Sequence, residues 1–277
     1  MKVISFINMK GGTGKTTLTY LLATSINFYR RNRLELPDAR ILVIDSDPQT
    51  NLTMKMLPEE FKSNAEEFNL ATFYLQNHPL ENAITPSYFK NIDLIPSDVS
   101  LGLVEQRLTT KIGGQLLLKQ HLQQLKGYDY VIIDTPPNIG TLTANAIAAS
   151  HYVIIPLTPD TMALKGLEYT ISFVNEGMIL NPNVKIMGIV LNLVDKRYLT
   201  HRAVIDLAKK KYPEYLLAVI SRRAAYHKVV EAHEEPLTAI ATSDKGARAD
   251  LLNFLQVVFE RMGEHGQEKA ESAREVS

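Results

Sequence analysis

The chain contains no cysteine. That absence excludes a disulfide framework, thiolate zinc sites and iron–sulfur clusters, and it fits a cytosolic compartment. No stretch approaches the ~20 consecutive apolar residues of a membrane span. The run "MKVISFINMKGG" reaches its glycines too soon to be a signal peptide. There is no internal repeat, and no linker long enough to split a domain. Neither sign of charge is in excess: 30 Lys and Arg balance 30 Asp and Glu, so net charge names no partner. The 277 residues suffice for one large α/β domain or two small ones, and for burying most of the apolar surface of the unfolded chain.

What is present is alternation. "KVISFIN" is a short apolar strand ending in a glycine loop, and "TTLTYLLATSINFYRR" follows with Leu18, Leu21, Leu22 and Ile26 at helical spacing. "ARILVIDSDPQ" is a second buried strand and "NIDLIPSD" a third. "GGQLLLKQHLQQLKGYD" predicts an amphipathic helix ended by Gly127. "YVIIDTPPN", "HYVIIPLTPD", "VKIMGIVLNLVD" and "YLLAVIS" complete the strands. Short, nearly all-apolar strands alternating with helices predict an α/β fold, a doubly wound, mostly parallel sheet with helices on both faces. Ligands of such folds sit at the C-terminal ends of the strands, where Asp45 and Asp134 fall. One domain is expected over residues 1–262, followed by a polar, disordered tail over 263–277.

"MKGGTGKTTL" lies between the first strand and the first helix. A glycine turn there aims backbone N–H groups at a phosphate, and the helix dipole adds to the attraction. Lys15 is placed to reach the β- and γ-phosphates, and the Thr16 hydroxyl to bind Mg²⁺. The strict phosphate-loop pattern asks for glycine at position 9, where this chain has Met9. Its glycines are Gly11, Gly12 and Gly14, and a second lysine, Lys10, precedes them.

"KGGTGKTT" resembles the deviant Walker A motif of the ParA/MinD class of ATPases, closest to the Soj-like partition branch. The resemblance implies ATP and Mg²⁺ as cofactors, with Lys10, Gly11, Gly12, Thr13, Gly14, Lys15, Thr16 and Thr17 around the nucleotide. It implies that Lys10 reaches across a homodimer to the ATP of the other subunit. A cation supplied in trans couples dimerisation to phosphoryl transfer. "LVIDSDPQTNLT" resembles the family's switch I, with Asp47 matching the carboxylate that orients the attacking water and Asp45 near the metal. "YVIIDTPPNIGTLTANA" resembles Walker B and switch II, with Asp134 holding a metal-bound water. Lys10, Lys15 and Asp47 are thereby expected to carry catalysis, and Thr16 to hold the metal with Asp45 and Asp134 in its outer shell. In "IVLNLVDKR", Asn192 stands where relatives place a residue facing the adenine, although an asparagine after a strand also caps turns. The likeness covers roughly residues 1–262. It departs at "INFYRRNRLELPDAR", which is longer and more charged than the expected link.

Branches of the class differ in cargo. The missing cysteines exclude the cluster-binding branches, and a single phosphate loop argues against the tandem arsenite-pump type. The tail has no apolar stripe for a membrane. Between Lys196 and Lys228 basic residues outnumber Asp206 and Glu214, a local patch suited to non-specific DNA backbone binding. Lys196, Arg197, Arg202, Arg222, Arg223 and Lys228 are the candidates. The run Lys209–Lys211 also suits the C-terminal turn of a solvated helix. No operator-binding domain is expected before the loop. The expectation is a cytoplasmic, nucleoid-associated partition ATPase stimulated by a ParB-like centromere-binding protein. A nucleoid-tracking ATPase that positions a protein assembly, or a MinD-like membrane-positioning ATPase, stands as the alternative.

Overall fold

The computed structural model describes residues 1–76, 78–160 and 162–264. Eight strands form one sheet in the order β3-β4-β2-β5-β1-β6-β7-β8. They are β1 (Lys2–Phe6), β2 (Ile41–Asp45), β3 (Thr85–Pro86), β4 (Ile92–Ile95), β5 (Tyr130–Asp134), β6 (Tyr152–Leu157), β7 (Lys185–Val194) and β8 (Leu216–Ser221). Every pairing is parallel except that of β3 with β4. The two-residue β3 lies at the sheet edge. It is too short for a periodicity signal, and Pro86 suits an edge position.

The helices are α1 (Lys15–Tyr29), α2 (Thr53–Met56), α3 (Lys62–Glu67), α4 (Leu70–Gln76), α5 (Leu101–Thr110) and α6 (Leu117–Gln124), then α7 (Thr141–Ala149), α8 (Ala163–Glu176), α9 (Leu199–Lys211), α10 (Ala224–Ala232), α11 (Pro236–Ala239) and α12 (Lys245–Arg261). Alternate residues of each strand feed opposite faces. Ile4, Phe6, Val43 and Ile132 pack under α1, α10, α11 and α12. Val3, Leu42, Ile44 and Val131 pack under α4 to α7. Val153, Ile155 and Leu191 pack under α8 and α9. Because α1 has the sheet on one side and the α10–α12 layer on the other, it is buried almost all round. Among the described residues no helix is long and apolar enough to cross a membrane.

Three local expectations are corrected. The predicted helix before β5 stops at Gln124, and Leu125 turns extended to bury its side chain, leaving Gly127 (φ 88°) to make the turn. The charged 27–40 segment extends α1 by a π-helical turn, Arg30–Leu34, which tucks Leu34 into the core. The expected tail begins too early at 263. Glu264 is clasped by Lys2 (2.7 Å) and Arg30 (3.2 Å) and accepts from the Tyr130 hydroxyl. The rest of that predicted tail, 265–277, lies outside the described residues.

This clasp ties the end of α12 to the N-terminal edge of the sheet. Glu264→Ala would leave the buried Tyr130 hydroxyl without its acceptor and remove the ion pairs to Lys2 and Arg30, although Arg30 still donates to the Pro37 carbonyl. The expected result in a thermal melt is a loss of about 1–2 kcal/mol, or roughly 4 °C in Tm, with nucleotide binding unchanged.

Candidate active site

The strand order reverses around β1, which lies between β5 and β6. The loops leaving β1, β2 and β5 therefore diverge at one edge and open a crevice there. Residues 7–14 form the first of them. Gly12 and Gly14 have φ of 74° and 86°, the left-handed region that side chains rarely adopt. At Gly14 space also demands glycine, since a Cβ would lie 2.1 Å from Asn192 Nδ2. α1 starts directly after it, so its free N–H groups and dipole face the crevice.

Asn8 pins this loop, a role that no local motif signals. Its Nδ2 donates to the Pro156 carbonyl (2.5 Å), and its Oδ1 accepts from the Lys10 N–H (2.8 Å). From the other side, Asn192 on β7 donates through Nδ2 to the Thr13 carbonyl (3.0 Å). Asn192 thus lies within the strand rather than after it, buried against the loop. Lys15 is buried too, with Nζ donating to the carbonyls of Asn8 (3.0 Å) and Lys10 (3.4 Å). Burial lowers its pKa, and the nearby Asp134 and Asp47 oppose that shift. Thr16 and Thr17, on the first turn of α1, are half-buried at the crevice.

Asp45 and Asp134 end adjacent strands in register, both fully buried. Asp45 accepts from the Asp47 N–H (3.1 Å) at Oδ1 and from Thr53 N–H and Oγ1 (both 2.8 Å) at Oδ2. Both of its oxygens thereby hold the segment after β2. Asp134 differs. Its Oδ1 has the Thr19 hydroxyl at 3.5 Å, while its Oδ2 is buried without a hydrogen-bond partner. Burial first, then the Asp45 charge, raise its pKa to about 8, against the opposing pull of Thr16 and Lys15. Asp47 is buried at the crevice wall. Its Oδ1 accepts from Gln49 N–H (2.9 Å), its carbonyl accepts from the Ser97 hydroxyl (2.5 Å), and burial raises its pKa.

Lys10 is exposed, and its Nζ pairs with Asp160 Oδ2 of the same chain at 2.5 Å. Thr158 Oγ1 (2.7 Å) and the Met162 N–H (3.0 Å) fix that carboxylate. A cavity of about 840 Å³ opens beside the loop, between Gly12, Gly14 and Thr17 on one side and Asn192, Ile220 and Arg222 on the other.

The basic residues do not form one surface. Lys196, Arg202, Arg222 and Lys228 are exposed, with no carboxylate within 4 Å among the described residues. Arg197 is exposed but bonded to Asp195 through Nε (2.9 Å) and a terminal nitrogen (2.6 Å). Arg223 is the clearest departure. It turns inward to Asp244 (2.8 Å) and Asp250 (3.9 Å), and both it and Arg222 line the cavity. Lys209–Lys211 sit at the other end of α9, about 12 Å along its axis from Arg202.

A left-handed glycine loop feeding a helix N-terminus, with a lysine and two acids buried beside it, serves phosphate chemistry. The class it defines is the P-loop nucleotide-binding protein. An AAA domain family model matches residues 1–186. A ParA family protein of Chlamydia trachomatis is 31% identical over 270 residues, covering 94% of this chain and 98% of its own. The sporulation initiation inhibitor protein Soj of Bacillus subtilis is 30% identical over 252 residues, covering 90% and 95%. Among solved structures, a plasmid partition protein of Borrelia burgdorferi bound to AMPPNP superposes with a TM-score of 0.77 at 27% identity, covering 94% of this chain and 99% of that one. The chain belongs to the ParA family of P-loop ATPases.

Proposed function

We propose that the protein is a DNA partition ATPase that uses ATP and Mg²⁺. The observation that carries this reading is the pair of lysines in one phosphate loop, Lys15 buried at the helix start and Lys10 exposed at the rim. Lys15 serves the nucleotide of its own subunit. Lys10 serves that of a second, ATP-loaded copy, so that two copies close on two nucleotides. Asp47 orients the attacking water. Asn192 faces the base end of the cavity.

The residues fit Mg²⁺, which takes oxygen donors and keeps several waters. The Thr16 hydroxyl would hold it directly and Asp134, with its unpartnered Oδ2, through water. Mg²⁺ held by these residues would supply positive charge to offset that of the nucleotide's phosphates. Asp45 positions the backbone at Asp47 and Thr53 rather than meeting the ion first.

The dimer binds DNA through its phosphate backbone, with Lys196, Arg202 and Lys228 as the unpaired cations best placed for it. A ParB-like partner stimulates hydrolysis and resets the cycle, and the protein works on the nucleoid. The Borrelia burgdorferi plasmid partition protein supports this reading over one in which the cargo is a protein assembly.

The test is a fluorescence-anisotropy titration of a random-sequence duplex with ATP, ADP or no nucleotide. Binding is expected only with ATP, falling steeply with salt. Lys196→Glu with Arg202→Glu is expected to weaken it about tenfold and flatten the salt slope by about 2. Equal affinity in all three nucleotide states sinks the reading.

A further inference from the structure

Residues 135–140 run from Asp134 to α7 and border the phosphate loop, where a Cβ on Gly11 would stand 3.9 Å from Pro137 Cβ. α7 begins at Thr141, and its N-cap, Gly140, has no side chain to cap it. The carboxylate at this helix end comes from another helix. Glu105 on α5 accepts from the Leu142 N–H at Oε1 (3.4 Å) and from Asn138 Nδ2 at Oε2 (3.2 Å). Gly140 makes the room, since a Cβ there would lie 1.8 Å from Glu105 Oε1 and 2.7 Å from its Cδ. One turn on, Thr109 and Thr141 share a hydroxyl–hydroxyl bond of 2.9 Å. Leu101, Val104 and Leu108 of α5 belong to the same apolar cluster as Leu142 and Ala146 of α7, which backs the contact.

A carboxylate at a helix N-terminus is favoured by the dipole and satisfies N–H groups that the helix itself cannot. Here it does so across elements, so α5, α7 and the intervening loop share one anchor. We propose that Glu105 is a positioning residue: capping α7 from α5, it holds the 135–140 loop against the phosphate loop and transmits movements of α5 to the nucleotide site. The outward side of this assembly is mixed, with Val99 74%, Leu103 66% and Ile139 50% exposed beside Gln106, Arg107 and Asn138, so α5 and the loop tip are both open to solvent. The proposal rests on the ATPase reading above.

The test compares Glu105→Ala, Glu105→Gln, Gly140→Ala and the double variant Gly140→Ala/Glu105→Ala in the full chain. Turnover at saturating ATP, affinity for a fluorescent ATP analogue, and amide exchange over 135–142 are measured. Glu105→Ala is expected to lower turnover roughly three- to tenfold, leave analogue affinity within about twofold, and speed exchange at 138–142. Glu105→Gln has a single acceptor oxygen, enough for the Leu142 N–H but not for Asn138 Nδ2 as well, and is expected to keep a turnover between those of Glu105→Ala and the wild type. Gly140→Ala expels the carboxylate and reproduces the loss. The double variant, with the clash relieved, is no worse than either single one, a non-additivity that a shared anchor requires. Wild-type turnover and exchange in Glu105→Ala, or losses that multiply in the double variant, overturn the proposal. A wild type that binds ATP and never hydrolyses it overturns the ATPase reading instead, and the exchange data then decide the positioning role alone.

Discussion

Under the proposed cycle, in which two ATP-loaded copies close on each other and a partner speeds hydrolysis, Lys10→Ala is expected to remain monomeric in ATP and to lose about 10³-fold of the stimulated rate. The magnitude is that of a cation supplied in trans to a phosphoryl-transfer site. Nucleotide affinity of the monomer should change little, because Lys15, the glycine turn and the dipole of α1 all remain. The Lys10–Asp160 pair does not stand in the way. It is exposed on both sides, and such pairs contribute only about 0.2–1 kcal/mol. The triphosphate of a second subunit offers several anionic oxygens in place of one carboxylate. Light scattering with ATP and a phosphate-release assay are the measurements. A variant that dimerises and hydrolyses as the wild type does would remove Lys10 from the reaction and leave its pairing with Asp160 as its whole role.

The parts of the site legible in the sequence are those whose chemistry is local. The glycine turn, Lys15 and Thr16 follow one another along the chain, and the strand ends at Asp45 and Asp134 carry their own apolar signature. The sheet was legible for the same reason, because "ILVID" and "YVIID" are buried on both faces. What was not legible depends on distant partners. Asn8 acts through the Pro156 carbonyl, 148 positions away. Glu105 acts on a helix end that only the packing of α5 against α7 brings near. An ordinary glutamate on an amphipathic helix gives no warning of either.

The pair Arg222-Arg223 failed in a more instructive way. Read as composition, two adjacent arginines add to a basic patch. Arg223 has extended backbone angles (φ −140°, ψ 135°), and successive side chains of an extended segment point to opposite sides. Arg222 stays exposed and Arg223 turns inward, although both line the cavity. Asp244, the N-cap of α12, and Asp250 within it meet Arg223, and Gly246 gives it space, since a Cβ there would lie 2.3 Å from the guanidinium. Charge counting cannot separate such neighbours; the backbone conformation can.

Asp134→Asn should separate function from stability, and its sign depends on pH. In the folded, metal-free protein burial and the Asp45 charge raise the Asp134 pKa to about 8. In the unfolded chain it returns to about 3.9. Below pH ~4 both states hold the proton, and Asp134 carries no penalty. As pH rises from there towards 8, the unfolded chain releases a proton that the folded chain keeps, so stability falls through this window. Above about 8 the folded protein holds a buried charge that Lys15 and Thr16 only partly offset and whose Oδ2 has no hydrogen-bond partner, and it bears the full loss. Asparagine, neutral throughout, escapes it. In EDTA and without nucleotide, Asp134→Asn is expected to melt roughly 5–10 °C above the wild type at pH 8, and by less than half that margin at pH 5. Its Mg²⁺-dependent turnover should fall about 10–100-fold, the usual loss when a group that orients a metal-bound water is removed. Saturating Mg²⁺ and ATP should close the gap in Tm, because the cation then compensates the wild-type carboxylate. A margin that stays flat between pH 5 and 8 would mean that Asp134 is not the titrating group. A stabilised variant with full turnover would mean that it does not serve the metal.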